Sequence, residues 1–235
     1  MAITTVEHDG SHDDGAGHGS QAEHAGGLHE TAEQRDHKER LALWLFIGGD
    51  ALFLILELFT WFYLRALNVN GLWRGTACSK ANPCTDGLGN PITQAIPKAN
   101  GWYSVGVAVL LIVAALLIWA AERSARNRDS RSVIGGVTGL AVVALLAAIA
   151  LGFYQFQALP FTTIDGVYAS TYEFFMGSTL VHAILLSFIG FGLWNRARMG
   201  RYEDGKWYRV RVIRIFAAWI AISASILALV STFFA

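Results

Sequence analysis

Charged residues are scarce in this chain of 235 residues, where they make up 15% of the total. A soluble domain usually has roughly 25% charged residues. The charge is also unevenly spread: residues 1–40 hold nine acidic and three basic residues, whereas five long apolar runs in the remainder have almost none. This distribution argues against a soluble globular domain and predicts a membrane protein.

Histidine is almost absent where a membrane cofactor would need it. Of the seven histidines, only His182 lies beyond residue 37, so a haem held by two intramembrane histidines, or a membrane di-iron or copper site, lacks ligands. No P-loop, dinucleotide-binding glycine pattern or nucleophile elbow occurs in a suitable setting. The basic residues are confined to the flanks of the apolar runs, so nucleic acid is not indicated. We therefore predict no catalytic residue, no metal site and no cofactor bound by this chain.

The apolar runs have the length that a bilayer requires. About 20 apolar residues cross the hydrocarbon core as a helix, which satisfies its own backbone hydrogen bonds. The sequence predicts an all-α, polytopic membrane protein, with a transmembrane domain of five helices over residues 41–235. The predicted spans are 41–64, 103–121, 133–154, 174–194 and 215–234.

The first 40 residues are predicted to form a disordered leader that is rich in histidine and acidic residues. Six histidines lie in it, and such a tract can bind metal. A solvated leader is the favoured interpretation.

Lysine and arginine predict the orientation. Fourteen of them flank the spans on the side of the N-terminus and four lie on the other side. Because the basic side of a membrane protein is usually cytoplasmic, we expect a cytoplasmic N-terminus and a C-terminus outside. Cys78 and Cys84 then fall in the first outer loop, where disulfides persist. A Cys78–Cys84 disulfide and two unpaired thiols both remain open.

Four ionisable residues lie within or at the mouth of a predicted span: Asp50, Glu57, Glu173 and His182. Such groups are costly in lipid and usually face protein or a cavity. Asp50 and Glu57 are seven residues apart, which places them on one face of a helix. Asp50 and His182 lie at similar depths, so a polar contact between spans one and four is geometrically possible. Proton handling, lipid headgroup binding and contact with a partner subunit are the alternative roles; an ordinary interfacial Glu173 and a carbonyl-bonded neutral His182 are the plainer ones.

Span one resembles a segment of subunit III of the haem–copper oxidases. The run from Leu45 to Leu54, Leu-Phe-Ile-Gly-Gly-Asp-Ala-Leu-Phe-Leu, is similar to that family's Leu-Phe-(x)-(x)-Ser-Glu-(x)-(x)-Phe-Phe, with Asp50 at the position of the intramembrane glutamate. Tyr168-Ala-Ser-Thr, followed by His182, resembles the family's Tyr-Gly-Ser…Thr-Gly-Phe-His-Gly-(x)-His block, with His182 at the last histidine and Thr179 at the first.

Two further stretches carry the resemblance. Leu151-Gly152-Phe153 followed by Gln155 is similar to the family's Leu-Gly…Gln stretch. Span five matches the family's Trp-His-(x)-Val-Asp-(x)-(x)-Trp signature only at Phe216 and Trp219. The chain thus resembles a divergent member of the family.

The resemblance implies a non-catalytic subunit of a proton-pumping oxidase that reduces dioxygen to water in a bacterial cell membrane. Such a subunit stabilises the haem- and copper-bearing subunit I, contacts subunit II, binds phospholipid and supports proton uptake. It also implies that spans one and two form one group and spans three to five another, with lipid in the cleft that Asp50 faces. An accessory subunit related to nitric oxide reductases and a small proton-coupled transporter are the alternatives. The electron donor, cytochrome c or quinol, stays open.

Overall fold

The computed structural model of the chain describes residues 32–67, 73–74, 84–85, 89, 91–92, 95–202 and 207–234. Five long α-helices account for most of these residues. They are α1 (Ala32–Ala66), α2 (Trp102–Arg126), α3 (Arg131–Gln157), α4 (Val167–Arg198) and α5 (Tyr208–Phe233). Each is long and apolar enough to cross a membrane, which confirms the predicted helical fold and indicates a multi-pass membrane protein.

The helices extend past the predicted spans. Each of the first four predicted spans lies inside the corresponding helix, α1 to α4. Helices α4 and α5 each begin seven residues before the predicted start of the span. Hydropathy marks only the apolar part of a helix, and the backbone hydrogen bonds continue into the polar boundary of the membrane. Residues 32–40, which the sequence pattern assigns to the disordered leader, are helical and form the first part of α1. The predicted disorder of residues 1–31 lies outside the described residues.

The connection between α1 and α2 contains two short antiparallel strands, β1 (Cys84–Thr85) and β2 (Pro91–Ile92). Cys78 lies outside the described residues, so its bridge to Cys84 stays a prediction. The connection is fixed to the start of α4, since the N–H of Ala99 donates to the hydroxyl of Tyr168 at 3.1 Å.

Helices α2 to α5 form the packed core, in which α2 lies against both α3 and α5. Each helix contributes fully buried apolar side chains; among them are Leu111, Ile118, Leu145, Leu186 and Ile220. Because lipid is as apolar as leucine, close packing rather than exclusion from water holds these helices together.

Small residues bring α3 and α4 close to each other. A Cβ atom at Gly190 of α4 would lie 3.1 Å from Leu145 Cδ1 of α3, and one at Gly152 of α3 would lie 3.1 Å from Leu180 Cδ1 of α4. Glycine therefore sets the distance between these two helices.

Helix α1 lies at the edge of this core, against α4 and α5. Only 17% of the residues in its apolar segment are buried, against 44% in α3 and in α5. The expected grouping of spans one and two against spans three to five is therefore wrong: the second span packs with the third and fifth, and the first is the separate one. Hydropathy cannot distinguish a lipid-facing side from a helix-facing side when both are apolar.

The two ends of the bundle differ in chemistry. At the end where α1 finishes, the buried side chains of Trp61, Trp73, Tyr168 and Phe175 pack ring against ring, with centroid separations of 4.9–6.0 Å. We call this the aromatic end. Each such pair contributes roughly 0.5–1.5 kcal/mol beyond its burial, so the cluster fastens the end of α1 to the core.

The opposite end, where α2 finishes and α5 begins, holds ion pairs, and we call it the basic end. The buried carboxylate of Glu122 accepts hydrogen bonds from Arg126, and Arg214 Nε lies 2.9 Å from its second oxygen. Arg126 also lies over the ring of Trp207, 4.2 Å from its centroid. Glu122 thus joins α2 to α5 by charge.

Candidate functional site

The buried face of α1 repeats in steps of four and three residues. Its members are Leu43, Ile47, Asp50, Leu54, Glu57 and Trp61. This spacing keeps a straight stripe against neighbouring helices, as the core positions of a coiled coil do. The two acids therefore lie within the packing surface of α1, as their separation predicts.

Asp50 joins three helices. One carboxylate oxygen, Oδ1, lies 2.8 Å from His182 Nε2 of α4, and the other accepts a hydrogen bond from Trp219 Nε1 of α5 at 2.5 Å. The polar contact between the first and fourth spans, which the depths of the two residues made possible, is present. The side chains of Asp50 and His182 are 10% and 14% exposed, and both residues lie near the middle of their helices.

The hydrogen bonds of His182 fix the proton count of the pair. Its Nδ1 lies 2.8 Å from the carbonyl oxygen of Ser178. A carbonyl oxygen only accepts, so Nδ1 carries a hydrogen. The contact between Nε2 and Asp50 then needs one more proton, on either the imidazole or the carboxyl group. In both arrangements the pair is neutral overall and holds one transferable proton, which explains how it is accommodated at this depth.

Glu57 lies two turns from Asp50 and is 3% exposed. The hydroxyl of Ser178 interacts with its carboxyl group, whereas its Oε1 has no hydrogen-bond partner among the described residues. Ser178 therefore connects the two acids, because its carbonyl holds His182 and its hydroxyl contacts Glu57.

A small cavity lies between these groups. Asp50, Glu57, Ser178 and His182 line it together with Thr179, and Ser223 of α5 closes one side. We call it the acid chamber. It has room for about one water molecule, so the acids share one small space within the membrane-spanning region.

A second polar cluster lies nearer the aromatic end. Gln155 Nε2 donates to Ser104 Oγ at 2.7 Å and to the Tyr172 hydroxyl at 3.0 Å. These three residues belong to α3, α2 and α4, and Gln155 and Tyr172 are buried. A cavity beside Gln155 and Ser104, which we call the amide chamber, has room for about one or two water molecules.

Glu173 is not part of the acid chamber. Its carboxylate accepts a hydrogen bond from Thr163 in the connection before α4. It lines the mouth of an open groove that runs between α1 and α4 and reaches His182. Of the four predicted site residues, Asp50, Glu57 and His182 thus come together, whereas Glu173 stands apart.

The chain matches no protein-family model and no curated protein. Within the described residues, no group of three or more histidine, cysteine or carboxylate side chains is placed to hold a metal ion. The chemistry available in the acid chamber is the binding and transfer of protons.

The sequence alone gave no reason to group Trp219, Ser178, Tyr172 and Ser104 with the predicted site residues. Trp219 had the signal of a partial match to a family signature, without a reason to place it beside Asp50. Ser178 and Tyr172 are ordinary polar residues in an apolar helix, and nothing in the sequence distinguishes them from surface-facing serines and tyrosines.

Proposed function

We propose that this chain is a non-catalytic subunit of the subunit III type, in a proton-pumping haem–copper oxidase that reduces dioxygen to water. The chain supplies no haem or copper in this proposal. Those cofactors belong to the partner subunit I, beside which it packs together with subunit II and phospholipid. Its own roles are to stabilise the catalytic subunit and to support proton uptake.

One observation carries the proposal: Asp50, His182 and Trp219 meet at 2.8 Å and 2.5 Å. The resemblance picked each of these residues from a different span, on local sequence alone. His182 and Trp219 are 132 and 169 positions from Asp50, and the matches to the family motifs do not depend on whether these residues touch. Their convergence supports the idea that the three matches belong to one site.

The proposed orientation places the basic end at the cytoplasm and the aromatic end outside, in a bacterial cell membrane. It rests on the excess of fourteen basic residues over four and on the positive-inside rule. Arg126, Arg131 and Arg198 lie at helix ends that share the basic end, which agrees with this assignment. Reporter fusions at the two termini test it. A fusion at the N-terminus should behave as a cytoplasmic reporter, and a fusion at the C-terminus should behave as an exported one.

Affinity purification of the chain in a mild detergent tests the proposed function. We expect a large haem-bearing chain to co-purify, and the visible spectrum of the preparation to contain a haem signal. The preparation should consume dioxygen when an electron donor is supplied. A stable, haem-free preparation of this chain alone would refute the proposal. A haem-bearing partner that reduces nitric oxide instead would assign the chain to the reductase alternative.

The second candidate is a small proton-coupled transporter, which the buried acids favour. Transporters often bind their substrates at interrupted helices, and the five helices described here are continuous. Uptake of a solute by proteoliposomes, abolished by Asp50→Asn, would establish this alternative.

A further inference from the structure

Polar side chains of α4 run from the aromatic end to the middle of the bundle. Along α4, Tyr172, Ser178, Thr179 and His182 follow one another from the aromatic end towards the middle. At 1.5 Å per residue, Tyr172 and His182 are about 15 Å apart, which is half of a hydrocarbon core of roughly 30 Å. We call these four residues, together with Ser104 and Gln155 beside Tyr172, the polar ladder. It reaches from one membrane boundary to mid-depth.

The acid chamber and the amide chamber adjoin along this ladder. Thr179, Ala224 and Leu227 line both of them. Thr179 is the polar member of this shared wall, and its hydroxyl donates to the carbonyl of Phe175 at 3.0 Å, which leaves its lone pairs available to a proton donor. The two chambers are thus neighbours across one hydroxyl group.

The amide chamber lies close to the membrane boundary. Gln155 is two residues from the end of α3, and Ser104 is two residues from the start of α2. Ser104 is only partly buried. The ladder therefore has a polar mouth at the aromatic end.

The other half of the bundle is apolar beside Asp50. A groove between α1, α4 and α5 towards the basic end is lined entirely by apolar side chains: Leu43, Phe46, Leu185, Ile189, Val212, Ile213 and Phe216. Leu186 and Leu193 of α4 are buried on the same half. Among the described residues, this groove therefore offers a proton no polar side chain between Asp50 and the basic end.

We propose that the ladder is a proton half-path, which connects Asp50 and Glu57 with the membrane surface at the aromatic end and is closed towards the basic end. Water and the hydroxyl groups of Ser104 and Thr179 carry the proton inwards, and the amide of Gln155 orders this chain by its hydrogen bonds. It ends on the Glu57 carboxyl group or on the pair of Asp50 and His182.

The end of the half-path has the groups that such a role needs. Glu57 is almost fully buried and its Oε1 has no partner among the described residues. The titratable groups that line the acid chamber are Asp50 and Glu57 from α1 and His182 from α4, whereas α5 contributes Ser223 and apolar side chains. No lysine or arginine lines it within the described part of the chain, so a proton is the cation available to neutralise Glu57.

All groups of the half-path belong to this chain, so the half-path does not depend on a partner subunit and goes beyond the proposed function. In the proposed orientation its mouth is on the outer side. It would then exchange protons with the exterior, and cytoplasmic proton uptake would have to run elsewhere in the assembly.

Hydrogen–deuterium exchange of the carboxyl groups tests the half-path. The full-length chain in lipid nanodiscs is moved into heavy water, and the shift of the carboxylic acid band is followed by infrared spectroscopy. Glu57→Gln and Asp50→Asn assign the band. We expect Thr179→Val and Gln155→Leu to slow the exchange by about tenfold or more if the ladder is the main route, since each variant interrupts the polar path between the two chambers.

Thr138→Val is the matched control, because Thr138 is buried in α3 and its hydroxyl bonds only to the carbonyls of Ile134 and Gly135, away from both chambers. It should exchange at the wild-type rate. Wild-type rates in both Thr179→Val and Gln155→Leu would overturn the half-path, as would equal slowing in the control. Circular dichroism identifies a variant that has lost its fold, and the other variant then decides. Co-purification with a haem protein plays no part in this readout, so its outcome is independent of the proposed function.

Discussion

Replacing Asp50 should loosen α1 from the rest of the bundle. Asp50→Ala removes the acceptor for Trp219 Nε1 and the partner of His182 Nε2. Each hydrogen bond between membrane helices contributes about 0.6 kcal/mol on average and up to about 1.7 kcal/mol. Two such bonds give an expected loss of about 1 kcal/mol, and at most about 3 kcal/mol, in the free energy of unfolding. The loss should be felt first in α1, which has the smallest buried fraction of the five helices.

Asp50→Asn separates the hydrogen bonds from the proton. The asparagine Oδ1 can accept from Trp219, and its amide can donate to the unprotonated Nε2 of His182. Both contacts survive, so we expect a change below about 1 kcal/mol. The transferable proton is nevertheless lost, and any proton-linked activity of the assembly should fall in this variant.

Unfolding by sodium dodecyl sulfate in mixed micelles measures the free energies, with circular dichroism and tryptophan fluorescence as signals. Amide hydrogen exchange reports whether α1 opens before the other helices. The double variant Asp50→Ala with Trp219→Phe should be less destabilised than the sum of the single variants by about 1 kcal/mol, since the two residues share a bond. Asp50→Ala within 0.5 kcal/mol of wild type, or Asn as damaging as Ala, would refute the reasoning.

Three further predictions concern other parts of the bundle. Gly101→Ala should destabilise the contact between α2 and α5 by about 1–3 kcal/mol, because a Cβ there would lie 2.8 Å from the Cα of Thr232; thermal unfolding in detergent measures it. Glu122→Gln should cost about 1–2 kcal/mol in the same assay, because Arg214, which is 28% exposed, loses its counter-charge. Burial raises the pKa of Tyr202, in the connection between α4 and α5, and the positive charges nearby only partly oppose this. Tyr202 therefore makes its full contribution to the free energy of unfolding below its unfolded pKa of 10.0, and this contribution is lost as the pH rises through the higher folded pKa. Tyr202→Phe should make thermal stability fall less steeply above pH 10.0.

Matched controls distinguish these effects from general damage. Gly192→Ala places a methyl group where no atom lies within 4 Å and should not destabilise the protein. Glu173→Gln alters a carboxylate that contacts only the exposed Thr163 among the described residues and should change stability by less than about 0.5 kcal/mol. Gly101→Ala equal to wild type, Glu122→Gln equal to Glu173→Gln, or an unchanged alkaline profile in Tyr202→Phe would each contradict the corresponding prediction.

The five helices could be predicted from the sequence because spanning a bilayer is a local property. A run of about 20 apolar residues satisfies its own backbone wherever its neighbours are. The shared face of Asp50 and Glu57 is local in the same sense, since helix geometry alone fixes a spacing of seven residues. Depth counted from the ends of the spans was enough to show that Asp50 and His182 could meet.

Only the tertiary structure decided which helices pack together. The peripheral position of α1, the place of α2 between α3 and α5, and the third partner Trp219 all depend on contacts between residues more than a hundred positions apart, or on packing between apolar faces. Lipid and a neighbouring helix are equally apolar surroundings for a leucine, so composition does not reveal which one a side faces. The same holds for Ser104, Gln155 and Thr179, which line one cavity only because three helices bring them together.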